Sequence, residues 1–204
     1  MYKVFKNGLL GSNTYLVYDE SSLEGMIVDC GNPAREPLSV ARELGVRIKY
    51  IVLTHAHYDH AEFAAEYTRL LPDAELIVHE AEVAVMTDFE ANVSLLFGTP
   101  RNYGYPDRTV KDGDSLALGD TEYTVISTPG HTPGSICLYS PSERVLLTGD
   151  TLFCRGYGRT DFKYGSDVEM ISSLRRLSRL AADITVLPGH GMATTVGDEL
   201  HQSF

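Results

Sequence analysis

Three imidazoles and a carboxylate fall within six residues, His55-Ala56-His57-Tyr58-Asp59-His60. Neutral imidazole nitrogen and carboxylate oxygen are donors that suit borderline divalent metals. Further residues of the same types follow at His131, Asp150 and His190, and Asp29 precedes them. Gathered in one place, such donors could hold two metal ions about 3.5–4 Å apart; such a pair shares a water and an acidic ligand, lowers the water's pKa and offsets oxyanion charge. Any one of these residues alone is weak evidence of a site. The signal is the repeated way in which the chain delivers them.

Each donor follows an apolar run. Tyr50–Leu53 precedes the histidine cluster, Leu146-Leu147-Thr148-Gly149 precedes Asp150, and Thr185-Val186-Leu187-Pro188-Gly189 precedes His190. His131 lies in the turn Thr128-Pro129-Gly130-His131-Thr132-Pro133-Gly134 after the strand-like Glu122–Ser127. Runs rich in β-branched and aromatic residues, ending in a polar turn, read as buried strands that present loops from their C-terminal ends. Ligands bind at that end of open α/β sheets. Side-chain direction repeats every two residues in extended chain, so His55 and His57 can point the same way.

The remaining elements follow from the same reading. Strands are expected at Val4–Phe5, Thr14–Tyr18, Met26–Asp29, Lys49–Leu53, Glu75–Val78, Ser115–Leu118, Glu122–Ser127, Ser135–Tyr139, Arg144–Thr148 and Asp183–Leu187. Helices are expected at Ala34–Leu44, stopped by Gly45, and at Asp59–Leu71, Glu80–Thr87 and Asp167–Leu180. The last repeats Met170, Ile171, Leu174, Leu177 and Leu180 at helical spacing, which makes Met170 a core residue first. Residues 88–107 lose all periodicity, mixing Phe89, Leu95, Leu96, Phe97, Tyr103 and Tyr105 with Asn, Gly and Pro. An irregular insertion of this length is read as a cover over the substrate side. The sum is an α/β fold, two mixed sheets face to face with helices outside, in one domain over residues 1–204.

Several residues carry plainer readings. Asp59 and Glu62 stand at capping-box spacing, so capping is the plain role of Asp59, although it leaves the neighbouring histidines unexplained. Asp29 reads as a turn carboxylate that supports the histidine loop rather than a ligand. His79 reads as a cap or packing residue, and Cys30 and Cys137 as small buried hydrophobes. Cys154, four residues after Asp150, lines the site at most. The three cysteines form neither a zinc spacing nor an even disulfide framework. Arg159 reads first as a partner of Asp161 or another carboxylate of its loop, and Lys163 as a solvated cation; either can instead receive a substrate carboxylate, Arg159 by bidentate pairing.

Composition excludes some partners. A net charge of -11, from 28 acidic and 17 basic side chains, opposes a nucleic-acid backbone. No run approaches the roughly 18 apolar residues of a membrane span, and the N-terminus shows no signal region. The expected location is the cytoplasm and the expected partner a small molecule; oligomeric state is open.

The quoted runs Thr54–His60, Pro129–Gly134, Gly149-Asp150-Thr151-Leu152-Phe153 and Pro188–Gly191 together resemble the metallo-β-lactamase superfamily across essentially the whole chain. The resemblance implies a four-layer αββα sandwich with metals at one sheet edge. It implies that His55, His57 and His131 bind one metal, that Asp59, His60 and His190 bind a second, that Asp150 bridges them, and that Asp29 supports. Zinc is the expected metal, with iron or manganese accepted by related ligand sets. Asp59 also orients the attacking water.

Gly149–Phe153 with Gly156-Tyr157-Gly158-Arg159-Thr160-Asp161-Phe162 is similar to the glyoxalase II group and its short bacterial relatives, which implies hydrolysis of a thioester such as S-D-lactoylglutathione. Glyoxalase II carries an added helical domain that grips glutathione; only 14 residues follow His190 here, so weaker glutathione recognition is expected. Persulfide dioxygenases share the Gly-Arg-Thr-Asp-Phe run and would use His55, His131 and Asp150 around one Fe(II). The same donors also suit a lactonase, a nuclease or a metal-stabilised binding module.

Overall fold

The computed structural model describes residues 1–6 and 8–200. In it, strand residues bury both faces in alternation. Along Thr14–Tyr18 every residue is buried; Tyr15 and Val17 join one apolar cluster while Leu16 and Tyr18 join another. A strand with two buried faces needs a layer on each side. The first sheet runs, edge to edge, Tyr2–Phe5 (β1), Thr14–Tyr18 (β2), Glu24–Val28 (β3), Arg47–Val52 (β4), Glu75–His79 (β5) and Arg108–Val110 (β6). The second runs Thr194–Thr195 (β12), Thr185–Pro188 (β11), Val145–Gly149 (β10), Ile136–Ser140 (β9), Thr121–Ser127 (β8) and Ser115–Leu118 (β7). Strands β3 to β6 pair in parallel, as do β10 and β11; the other pairs are antiparallel.

Three apolar clusters make the layers. Met26, Val52 and Ile77 of the first sheet meet Leu116, Val125, Leu138 and Leu147 of the second. Outside the first sheet, Leu16, Ile51 and Leu53 pack on Arg35–Glu43 (α1), Ala64–Leu70 (α3) and Val83–Thr87 (α4). Outside the second, Leu146 and Val186 pack on Asp167–Leu177 (α5) and Val196–Leu200 (α6). This is the expected αββα sandwich, and Met170 lies fully buried in its outer cluster.

The helix expected over Asp59–Leu71 is instead two pieces, Tyr58–Ala61 (α2) and α3. The break has a hydrogen-bonding cause. In a continuous helix the Asp59 and His60 carbonyls would accept from Phe63 and Ala64. Here Asp59 O accepts Ser12 Oγ at 2.7 Å, His60 O accepts the Cys30 amide at 2.6 Å, and Phe63 N donates to Cys30 O at 3.0 Å. The turn that carries Asp59 and His60 is thus stitched to the end of β3. The capping-box reading of Asp59 fails with it: His57 occupies the N-cap without a side-chain bond, and Glu62 pairs with Arg101. Strands β6 and β12, three and two residues long, are too short to show alternation in the sequence.

Residues 88–107 hold one 3-10 turn, Ser94–Phe97, and are otherwise irregular, yet firmly tied. Asn92 is fully buried, donates to Met86 O and Arg101 O, and its carbonyl accepts the Tyr58 amide at 2.9 Å. Among the described residues no helix is long and apolar enough to cross a membrane.

Leu138 is fully buried between the sheets, registered opposite Val125 and Leu147. Leu138→Ala is expected to lower unfolding free energy in urea by about 2–5 kcal/mol. The exposed Val168→Ala should stay within about 0.5 kcal/mol. Equal effects of the two would contradict the inter-sheet core.

Candidate metal centre

Four strand ends meet at one edge of the sandwich. The turn after β4 brings His55 and His57, and α2 brings Asp59 and His60. The turn between β8 and β9 brings His131, the end of β10 brings Asp150, and the end of β11 brings His190. Their potential ligand atoms lie within 4.8 Å of one another in three groups: His55, His57 and His131; His55, His60 and Asp150; Asp59, His60 and His190. All seven residues named from the sequence therefore come together. His79 and Cys154 stand in none of these groups.

The backbone must come close for this to happen. A Cβ at Gly189 would run into Asp150 Oδ1 and lie 2.7 Å from His60 Cε1, so only glycine fits the step before His190.

Hydrogen bonds fix which ring nitrogen faces inward. His60 Nδ1 donates to Asp29 Oδ2 at 2.9 Å, and His131 Nδ1 donates to the Arg159 carbonyl at 2.6 Å. His57 donates to the Ala91 backbone. Asp29 Oδ1 accepts the Thr54 amide at 2.7 Å and Thr54 Oγ1 contacts both its oxygens, while His55 Nδ1 lies 3.2 Å from that hydroxyl. With the threonine proton given to Asp29, His55 donates to Thr54. His55, His57 and His131 then turn Nε2, bearing a lone pair, toward the centre, and the Asp29 bond turns His60 Nε2 the same way. Asp29 holds this position at φ 60° and stands behind the rings, in none of the three groups.

The inward atoms make few bonds to protein, Asp150 Oδ1 having only His60 Nε2 at 3.3 Å. His55 Nε2, His57 Nε2, His131 Nε2 and Asp150 Oδ1 are buried without a hydrogen bond. Orphaned polar atoms are rare in folded proteins, and four converging ones need something to bind. On the other side His60 Nε2 lies 3.2 Å from His190 Nε2, and Asp59 Oδ2 lies 3.0 Å from His190 Nε2. Neutral imidazoles with carboxylates at one point form a donor set that fits divalent metals.

The electrostatics separate the two sides. Burial, reinforced by neighbouring imidazoles, pushes His55 and His57 well below the ordinary histidine value, and burial lowers His131 as well. Burial also opposes charge on His60, but Asp150, Asp59 and Asp29 outweigh it and raise that ring well above the ordinary value. His190 rises too, where the Asp59 bond and Asp150 overcome burial. Burial works against the Asp150 carboxylate, yet His60, His131 and His190 hold it well below the usual range. Three rings stay neutral and ligand-ready; the carboxylates collect positive charge beside the other two.

Access is from the side of Asp150 and His190, whose side chains are 11% and 26% exposed. Aromatic rings surround it. Phe162 packs edge-on to His57 at 5.6 Å, Phe153 to His190 at 5.9 Å, and Phe97 stacks on Tyr58 at 5.4 Å. The cations expected to meet substrate already have partners. Arg159 forms a bidentate pair with Asp161 at 2.6 Å and lies 4.1 Å over Phe162; Lys163 bonds Asp88 at 2.8 Å and Glu90 at 3.1 Å.

Sequence reading misses two residues, Ala91 and Glu82. Ala91 contributes only a carbonyl, which leaves no trace in residue type. Glu82 is a fully buried carboxylate in the stretch Glu80–Glu82, and only the surrounding hydrophobic pattern could have marked it as inward-facing.

His79 instead caps its own 3-10 turn through Ala81 N at 3.2 Å and contacts Ser127 Oγ at 2.9 Å. Asp150→Ala and His55→Ala are expected to lower metal retention and turnover by more than about 100-fold, beyond the losses typical of partners behind the ligands. His79→Ala should leave both unchanged. Loss of both in His79→Ala alone would place the centre elsewhere.

The pattern of the metallo-beta-lactamase superfamily matches residues 7–190. The chain is 33% identical over 190 residues to hydroxyacylglutathione hydrolase GloC of Haemophilus influenzae, covering 92% of this chain and 89% of the relative. Among solved structures, the BLEG-1 B3 metallo-beta-lactamase superposes with a TM-score of 0.90 at 30% identity, covering 98% of this chain and 97% of that one. TTHA1623 in a di-iron-bound form superposes with a TM-score of 0.85 at 28% identity, covering 96% of each chain. With the family pattern spanning nearly the whole chain and the sandwich reproduced at that level, this chain belongs to the metallo-β-lactamase superfamily.

Proposed function

We propose that the chain hydrolyses small acyl thioesters, S-D-lactoylglutathione among them, at a centre of two divalent metal ions, zinc first. His55, His57 and His131 hold one ion, Asp59, His60 and His190 the other, and Asp150 is shared. The observation that carries the reading is the convergence of three buried, unpartnered Nε2 atoms with Asp150 Oδ1. The likeness to a hydroxyacylglutathione hydrolase supports the choice of thioester. Bound ions of this kind supply Lewis-acid charge and a water acidic enough to ionise near neutrality.

The protein's own groups do the rest. Asp59 Oδ2, beside His190 Nε2 and 3.6 Å from His60 Nε2, orients the attacking water. Asp29 and the Arg159 carbonyl keep His60 and His131 in the tautomer that leaves Nε2 free. Phe97, Tyr58, Phe153 and Phe162 form the wall against which the apolar part of the acyl thioester rests and from which water is excluded. A thiolate leaves readily, since its thiol has a pKa of about 8.5, so the departure needs no strong general acid.

Arg159 and Lys163 meet the substrate's carboxylates only by giving up Asp161, Asp88 or Glu90. Solvent screening leaves exposed pairs weak, so the exchange is inexpensive but adds little grip. Glutathione thioesters are therefore turned over with a high KM.

Protein saturated with zinc should carry two ions per chain by elemental analysis and anomalous diffraction, and should release thiol from S-D-lactoylglutathione without oxygen. Arg159→Ala should raise KM by up to about fivefold, the equivalent of one exposed ion pair, and leave kcat unchanged. One ion per chain, with sulfite formed from glutathione persulfide as oxygen is consumed and no thioester turnover, would replace this reading with the dioxygenase.

A further inference from the structure

Glu82 is 0% exposed and makes no ion pair among the described residues. Burying a carboxylate without a cation is costly unless hydrogen bonds compensate. Here three do. Oε1 accepts the Ala56 amide at 2.8 Å; Oε2 accepts Thr132 Oγ1 at 2.8 Å and the Gly134 amide at 2.9 Å. Burial raises the group and the three donors lower it, which leaves it pushed up to about 7. Ala56 lies between His55 and His57, while Thr132 and Gly134 follow His131. One side chain thus holds the two turns that present all three orphaned imidazole nitrogens.

We propose that Glu82 is a positioning residue of the metal centre: its carboxylate fixes the peptide between His55 and His57 against the His131 turn, at the separation where their Nε2 atoms converge. The inference rests on the metal-centre reading above and touches no ligand directly. The arrangement is specific in two ways. Thr132 is further locked, its amide donating to Ser135 Oγ at 3.1 Å and its hydroxyl 2.8 Å from the same atom, so the donor cannot swing to another acceptor. Gly134 must lack a side chain, because a Cβ there would lie 2.5 Å from Glu82 N and 2.6 Å from both Glu82 Cβ and Oε2.

Both carboxylate oxygens face donors, so an amide cannot replace the group. In Glu82→Gln the NH2 meets either Ala56 N–H or the Thr132–Gly134 pair, donor against donor. Shape is kept and acceptance is lost. Gly134→Ala attacks the same clamp from the other side with Glu82 intact. Thr132→Val removes one of three donors and is the mildest perturbation. Glu80→Gln, exposed and two residues away, is the control.

The test measures zinc affinity of each full-length variant by chelator competition, together with the melting temperature of chelator-stripped protein. Glu82→Gln and Gly134→Ala are expected to weaken zinc binding by about 10–100-fold, the range for partners that orient ligands from behind, and Thr132→Val by less. Glu80→Gln should match wild type. A residue that merely supports the fold would lower the melting temperature of stripped protein while the folded fraction kept wild-type affinity; that outcome overturns the proposal. Should Glu82→Gln fail to fold, Thr132→Val carries the same decision, wild-type affinity again being the overturning result. Absence of zinc binding by wild type would instead remove the metal-centre reading itself, so the two failures are distinguishable.

Discussion

The structure depends on a buried carboxylate, Asp29, and on what its two oxygens hold. They take the Thr54 amide, the Thr54 hydroxyl and His60 Nδ1, and so join the end of β3 to the start of the histidine turn and to α2. A carboxylate 1% exposed is tolerable only when hydrogen bonds and nearby positive charge replace water. His60 donates one of those bonds, and Asp150, Asp59 and Asp29 in turn raise the pKa of its ring, so the dependence runs both ways. The site is a network in which each buried charge is acceptable because of the others.

That network dictates local backbone that regular structure would not give. The α2–α3 break exists because the Asp59 and His60 carbonyls serve Ser12 and Cys30. Asp29 takes a left-handed conformation to turn its side chain under the histidines. Gly189 and Gly134 are glycines because side chains stand where their Cβ atoms would be. Irregularity concentrates at the strand ends, while the sheets beneath keep their pairing apart from register shifts at Gly25/Met26 and Leu147/Gly149.

Much of this is legible in the residues. Buried strands announce themselves by apolar runs, the outer helix by the spacing of Met170, Leu174 and Leu177, and the donors by recurring at strand ends. What the residues hide has a common physical character. The interrupted helix, the Ala91 carbonyl on His57 and the partners of Glu82 each involve main-chain groups bonded to segments distant in sequence. Main-chain groups are identical in every residue, so no side-chain pattern encodes their tertiary partners. Lys163 shows the converse: its charge is visible, but the carboxylates that occupy it lie 73 and 75 residues away, whereas the Asp161 that pairs with Arg159 is two residues on. Residues 88–107, expected as a cover, also brace the site, through Asn92 on Tyr58 and Ala91 on His57.

The pairing of His60 with His190 spans 130 residues, and Asn13 bonds Pro188 across 175. A chain emerging from the ribosome therefore owns most of its donors long before the constellation exists, and the first sheet waits for β11. Non-local closure of this kind slows folding, because chain entropy is lost before the contacts that reward it form. A cation that recognises only the finished edge favours the native ensemble by mass action and restrains both sheets at once. Metal supply would in this architecture act late in maturation, favouring completed molecules over those whose second half has yet to dock.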